Sequence, residues 1–385
     1  MKIERYPYRA SAWWDGRIVA QSDQCLCAEA PGALPVLYFP LADIVFGGAD
    51  GLSGCVLPAE PLPELADHAA FDQDQVRVEV RDEVEGDAVH DVTVKRFPTW
   101  GDAAHLVDVM DVRPADDGLT FFGIARSDER RPVVEGSQML GQAIVAASRH
   151  AAGRRVVSAN VMLLRAADAR QPLQFGLQEL SSGRTFAALF VQVHQGERLC
   201  AAGTLLLDTP SGDVIRHAVD APDVPGPYEC PPYDMGVTGR DIRVVDGGYS
   251  NDADEPTGPP TVDAWVRFRQ VPDDPALHAG LLAQFTGHMS IAAALRPHHG
   301  ISQDQAHRTL SMAINSINLS LYGPVKVDDW LLYHHHSTFA GAGTTHAENR
   351  VYDLAGALVA SFTVDAMVRP LPSGAKGPMD ARTAL

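Results

Sequence analysis

Cysteine is scarce, with five in 385 residues, at positions 25, 27, 55, 200 and 230. Only Cys25 and Cys27 are close, at CxC spacing, so neither a disulfide scaffold nor a four-ligand zinc site is indicated. The pair reads as packing rather than redox chemistry, because free cysteine behaves mostly as a small buried hydrophobe. Basic charge is short as well: 31 Lys and Arg stand against 49 Asp and Glu, a net charge of −18. That field repels phosphate backbones and anionic membrane surfaces, and nucleic acid is excluded as an expected partner. No apolar run approaches the ~18 residues of a membrane span, and the first residues meet no apolar signal core, so a cytoplasmic chain is expected. A GxxxxGK[ST] loop is missing too, and Asp246-Gly-Gly248 reads as a turn rather than a phosphate cradle.

What is present is ordinary globular material. Hydrophobic residues make up 45% and charged residues 21%, and the length suits two or three domains with full cores. The first hundred residues read as short strands and turns. Asp15-Gly16 is a hairpin signal between alternating runs, Leu34 to Pro40 is an apolar run bracketed by prolines, and Val76 to Val80 alternates strictly. Ala103 to Met110 predicts a short helix, and Gln138 to His150 an apolar one. Strands then run to Leu207. Residues 211–261, dense in proline, read as a linker or surface excursion. Beyond them come a strand at Trp265–Arg269, a helix over Pro275 to Leu295, and strands from Asn315 to Val368. The order strand, buried helix, antiparallel strands therefore occurs twice, which predicts two helix-wrapping sheets that pair and share a cleft.

Specific segments carry a resemblance. Val134-Glu-Gly-Ser-Gln-Met-Leu-Gly-Gln-Ala-Ile-Val-Ala-Ala147, Leu163 to Asp168, Leu180 to Phe186 and Val191 to Gly196 match in order. So do Trp265 to Arg269, Leu277 to Leu282, Ala294 to His298, Trp330 to Tyr333 and Leu358 to Ser361. Over about residues 118–371 the chain resembles the acyl-CoA thioesterase II family. The resemblance implies an α+β double hotdog, thioester hydrolysis with coenzyme A or an acyl carrier protein as the carrier, no cofactor, and a homo-oligomer. Trp14 to Ala20, Tyr38 to Asp43 and Leu65 to Phe71 separately resemble a small β-rich family of unknown function. The expected organisation is a β-rich domain over 1–115, a first hotdog over 116–210, the excursion over 211–261, and a second hotdog with a tail over 262–385.

Hydrolysing a thioester needs a held water, a group to take its proton, and N–H donors for the oxyanion. The resemblance implies an Asp, a Thr or Ser, and a Gln for this work. Here the Asp position falls on Gly287, the Gln position on Val364, and the Thr position near Ile314, with Asn315 and Ser316 as polar neighbours. The usual triad is therefore absent. Glu135, before the first helix, and His288, early in the second, are the expected acid/base pair across the shared cleft, with Asn315 and Ser316 as further catalytic candidates. Gly136, Ser137, Gln138 and Gly287 are expected to contact substrate through helix-terminal N–H groups and side chains. The plainer readings make Glu135 or Ser137 a helix cap, His288 a surface residue, and Asn315, Ser316 and Asn318 satisfied strand polar groups.

No metal is expected. Of His334-His-His336 only the first and third can converge on a strand, and no nearby carboxylate completes a set. Arg131, Arg149, Arg154 and Arg155 are candidates for coenzyme A phosphates or plain solvated charges. Three functions stay open at this point: an altered thioesterase, a hotdog dehydratase or hydratase using Glu135 and His288, and a non-catalytic acyl-ligand-binding protein.

Overall fold

The computed structural model describes residues 2–371 except 7, 30–34, 46–54, 58–61, 74, 87–88, 98–102, 127–132, 236 and 238. The chain divides into two compact units, Met1–Asp102 with Asp234–Thr238, and Ala103–Tyr233 with Gly239–Leu385.

The first unit is built of β1 (Lys2–Arg5), β2 (Arg9–Trp14), β3 (Arg17–Ser22), β4 (Leu26–Glu29), β5 (Val36–Pro40), β6 (Val56–Leu57), β7 (His68–Phe71), β8 (Arg77–Gly86) and β9 (Val89–Phe97). They form one sheet ordered β1-β4-β5-β7-β6 and another ordered β3-β2-β8-β9. Asp15 and Gly16 both take positive φ, 47° and 73°, as a tight hairpin with a right-handed twist demands. Alternate apolar residues of both sheets, including Ala10, Ala12, Val78, Val80, Phe39 and Phe71, meet in one core. Cys25 is sealed inside it, and burial pushes its thiol up to about 12, which makes it inert at neutral pH.

The second unit contains α1 (Ala103–Met110), β10 (Arg113–Pro114), β11 (Thr120–Gly123), α2 (Gly136–His150), β12 (Arg155–Leu163), β13 (Leu173–Ser182), β14 (Phe186–Gln195) and β15 (Arg198–Asp208). It continues through β16 (Arg240–Val244), β17 (Thr261–Phe268), α3 (Pro275–Phe285), α4 (Ser290–Leu295), β18 (Leu310–Leu321), β19 (Leu331–Gly341), β20 (Thr344–Tyr352) and β21 (Leu358–Pro370). All twelve strands make one antiparallel sheet, ordered β10-β11-β13-β14-β15-β12-β18-β21-β20-β19-β17-β16. Read outward from the β12–β18 seam, the two halves follow the same order, so the repeat seen in the hydropathy pattern is a repeat of topology.

Two expectations change. The proline-rich excursion is not only a connection: β16 lies within it and pairs with β17, in the place β10 holds in the other half. Every residue of β16 is buried. Asp241 explains why so polar a strand docks, since it is 2% exposed and ion-paired to both Arg267 and Arg269. The helix expected over Pro275 to Leu295 is broken in two. Met289 takes φ 66°, and Thr286 returns its hydroxyl to the Ala283 carbonyl at 2.6 Å, so the ladder stops and restarts at Ser290.

The two halves also meet through α2 and α3, which cross at Gly141 and Gly280. A Cβ on Gly141 would lie 2.4 Å from the Gly280 carbonyl oxygen and 2.8 Å from Met110 Sδ. No side chain fits there without parting the helices. Gly141→Ala should therefore destabilise the second unit by about 2 kcal/mol despite the better helix propensity of alanine. Gly176→Ala, whose nearest neighbour would be 4.0 Å away, should cost no more than about 0.5 kcal/mol. Urea unfolding of the two variants checks the pair, and equal midpoints would mean that the crossing is not close.

Candidate active site

The chain is brought to the start of α2 by a bond from Val134 N to Ala167 O of 2.9 Å. Glu135 is the N-cap residue, extended at φ −64° and ψ 137°, but its side chain makes no cap bond. The carboxyl is thus turned away from its own helix. Gly136 lies over Leu163, where a Cβ would stand 2.0 Å from Cδ1. Ser137 is not the cap either, since it sits one turn position inside the helix, is 0% exposed, and its Oγ has no hydrogen-bond partner among the described residues. Gln138 is tied into the protein, its amide nitrogen 3.3 Å from Ile124 O and 3.5 Å from Gln142 Oε1.

From the other half, the break between α3 and α4 delivers Gly287 and His288. His288 therefore stands in the turn, not on the helix. A Cβ on Gly287 would meet Ser137 Oγ at 2.3 Å and Ile314 Cδ1 at 3.6 Å. Ser137 thus occupies the space into which a side chain at position 287 would project. His288 Nε2 lies 3.4 Å from Glu135 Oε2, within ion-pair range but without the alignment of a hydrogen bond. The Glu135 side chain is 38% exposed and that of His288 only 11%. The ring packs on Phe285 at a centroid distance of 4.8 Å.

Two residues not singled out in the sequence complete the cluster. Gln284, 2% exposed, donates from Nε2 to Glu135 Oε2 at 3.4 Å. Arg240, 3% exposed on β16, donates from Nη1 to Gln284 Oε1 at 2.9 Å, with its guanidinium 5.0 Å above the Phe285 ring. Burial lowers the Arg240 guanidinium to about 10, Glu135 opposing, so it stays cationic at neutral pH. Tyr249 is pushed well above the ordinary phenol range by burial. The available sequence signals were weak: an alternation Arg240, Ile242, Val244 inside the excursion, and one amide in the otherwise apolar α3.

Asn315 and Ser316 are not brought to this cluster by any contact. Asn315 sits at a bulge where the register of β18 against β21 shifts between Ile314 and Ser316. Ser316 donates to Asp365 Oδ2 at 2.8 Å, and His346 Nδ1 lies 2.7 Å from Asp365 Oδ1. Asp365 alternates with the buried Val364 and Ala366, so this network faces away from the helices. A carboxylate does approach the histidine run: Asp263 Oδ1 is 2.7 Å from His334 Nδ1 across the β17–β19 pair. Even so, among the described residues no three metal-ligating side chains converge. Arg149 pairs with Asp111, Arg154 donates to Gly183 O, and Arg155 pairs with Asp208 at 2.9 Å. Arg131 lies outside the described residues. A cavity of about 280 Å³ lies elsewhere, between residues 246–258 and the end of α4 through Arg296 and Ser302, and none of Glu135, Ser137, Gly287 or His288 lines it.

Two helix-backed halves joined in one continuous sheet, with polar groups from both helices meeting at the seam, define a double hotdog. Comparison with known proteins gives the family. Residues 127–207 match the profile described as Acyl-CoA thioesterase N-terminal domain, and residues 217–368 that described as Acyl-CoA thioesterase C-terminal domain. Acyl-CoA thioesterase 2 of Haemophilus influenzae is 23% identical over 285 residues, covering 69% of this chain and 97% of that one. Acyl-coenzyme A thioesterase 8 of Mus musculus is 21% identical, over 69% and 89%. Among solved structures, a TesB protein of Mycobacterium avium subspecies paratuberculosis superposes with a TM-score of 0.60 at 22% identity, covering 70% of this chain and all of that one. An acyl-CoA thioesterase II, TesB2, of Mycobacterium marinum gives 0.59 at 23%, with the same coverage. The chain belongs to the acyl-CoA thioesterase II family, and residues 1–126 lie outside the matched segments. No described helix is long and apolar enough to cross a membrane.

Two buried imidazoles contribute to the acid sensitivity of this unit. Burial lowers His288 to about 4, against the attraction of Glu135 and with the help of Arg240. Burial also lowers His335, 0% exposed and 3.2 Å from Ser290 Oγ, to about 3. Both rings stay neutral in the fold while unfolded imidazole protonates near 6.5. The unfolded chain therefore binds more protons as pH falls from 6.5 towards 4, and stability drops by about 2 kcal/mol per ring at pH 5. The melting temperature should fall between pH 7 and 5, and His335→Asn should roughly halve the part of that fall due to the two rings. An unchanged pH dependence in the variant, followed calorimetrically, would contradict the burial of neutral His335.

Proposed function

We propose that the protein hydrolyses acyl thioesters of coenzyme A or of an acyl carrier protein, with Glu135 as general base in place of the family's usual triad. The observation that carries this is the convergence of Gln284 and His288 on one oxygen of Glu135, Oε2. Oε1 of the more exposed partner is then left to take a proton from water. The water oxygen attacks the thioester carbonyl carbon, and the developing oxyanion is met by N–H groups of Gly136 and Ser137 at the positive end of α2. Collapse breaks the C–S bond, and the departing sulfur takes the proton that Glu135 removed from water, which restores the carboxylate. His288, neutral above about pH 4, stands beside the carboxylate without neutralising it.

A second reading is supported by the same Glu135–His288 juxtaposition, which also suits the addition or removal of water on an acyl chain whose thioester stays intact. Purified protein with a panel of acyl-CoA thioesters separates the two. Release of free thiol, followed with a thiol reagent, is expected, whereas a changed acyl mass with no thiol released supports the second reading. Binding with no turnover of any kind would leave an acyl-ligand-binding protein. Glu135→Gln should lower kcat by roughly 10² to 10⁴, the range for a lost general base, and His288→Ala by a smaller factor. Undiminished thiol release from Glu135→Gln would remove Glu135 from the mechanism. We also propose that the chain self-associates, because β10, two exposed residues long, leaves that end of the sheet with an open edge. Sedimentation at micromolar concentration should show a species larger than 41.4 kDa.

A further inference from the structure

We propose that Arg240 is a positioning residue for Glu135: by donating to Gln284 Oε1 it anchors that amide with its N–H end towards the carboxylate. This rests on Glu135 being the base proposed above. A glutamine amide has one accepting and one donating end of nearly the same shape, so a buried one takes the orientation its neighbours dictate. A guanidinium can only donate. With Nη1 2.9 Å from Oε1, the carbonyl end must face Arg240, and the N–H end is left 3.4 Å from Glu135 Oε2. The side chains come from three separate elements of one unit, Arg240 on β16, Gln284 on α3 and Glu135 at the start of α2. Arg240 is itself confined between its strand, where it pairs in register with Phe268, and the Phe285 ring.

The charged and titratable groups facing Glu135 are His288 from the α3–α4 turn and, behind Gln284, Arg240, with Tyr249 following β16. Without Arg240 the carbonyl end of Gln284 loses the donor that holds it, and only the pull of the carboxylate itself keeps the N–H end in place. The amide is then free to tilt, Oε2 loses its fixed donor, and Oε1 loses its fixed place opposite the attacking water.

The test uses the full chain and acyl-CoA hydrolysis. Arg240→Met should lower kcat roughly 10- to 100-fold, as is typical of residues that orient a reacting group, with KM within about threefold. Arg240→Lys retains the charge as a single point donor and should recover part of the loss. Gln284→Glu still offers Arg240 an acceptor but sets an oxygen against Glu135, so it should reproduce the loss in kcat in a chain that melts cooperatively, and it decides the matter if Arg240→Met fails to fold. If Gln284→Glu and Arg240→Met leave kcat unchanged while Glu135→Gln abolishes turnover, the positioning role is overturned and the base assignment stands. If Glu135→Gln itself hydrolyses normally, both fall together.

Discussion

The close crossing of α2 and α3 is the constraint on which the rest of the second unit depends. Where Gly141 and Gly280 face each other, backbone meets backbone with no side chain between. Van der Waals contact at such short range rises and falls steeply with separation, so the crossing fixes the helices far more sharply than a layer of long side chains could. Glu135 stands at the beginning of one helix, and Gln284 and His288 at and just beyond the end of the other. Contacts of 3.4 Å between residues about 150 apart in sequence follow from that one closeness. The neighbouring fit between Ser137 and Gly287 has the same origin.

Buried polarity is the second theme. Arg240, Gln284 and His288 are largely withdrawn from water, and a charge or amide in that position must be matched or it costs several kcal/mol. Each is matched in a different way. Arg240 has an amide acceptor and an aromatic face, Gln284 bridges a donor and an acceptor, and His288 gives up its charge. The same chemistry appears at Asp241, one residue along β16, where two arginines compensate a carboxylate on the opposite face. A short polar strand within a proline-rich excursion is held in the sheet because both of its faces are electrostatically satisfied.

The fold was largely legible before any coordinates. The apolar run Met139 to Ala147, the alternation in Val76 to Val80 and the helix at Ala103 to Met110 follow from side-chain periodicity, which is a local property. Proline density masks the five residues of β16 within the excursion, and Thr286, Gly287 and His288 interrupt the second central helix with no proline to mark the break. The site was legible in part. Glu135 and His288 could be named because each adjoins a glycine, Gly136 or Gly287, at which the sequence pattern suggests helix-terminal N–H groups bordering the shared cleft. Ser316 could not be excluded, because a bulge at Asn315 disturbs the period of two by which its face would be inferred. Arg240 and Gln284 had no comparable signal, since a single arginine or glutamine looks the same whether it faces solvent or a buried carboxylate.

By itself, then, the order of residues determined that there would be two helix-and-sheet halves, a separate β-rich unit, and a family pattern lacking its usual polar triad. Hydrophobic periodicity acts over a few residues, and each half carries its own copy. Only the tertiary structure decided which polar groups share an atom. The choice of Glu135 Oε2 as the meeting point of Gln284 and His288, and of Arg240 as the group behind them, depends on the distance between two helices and on a strand pairing at the far end of the sheet. Those are properties of packing between distant segments, and no local pattern encodes them.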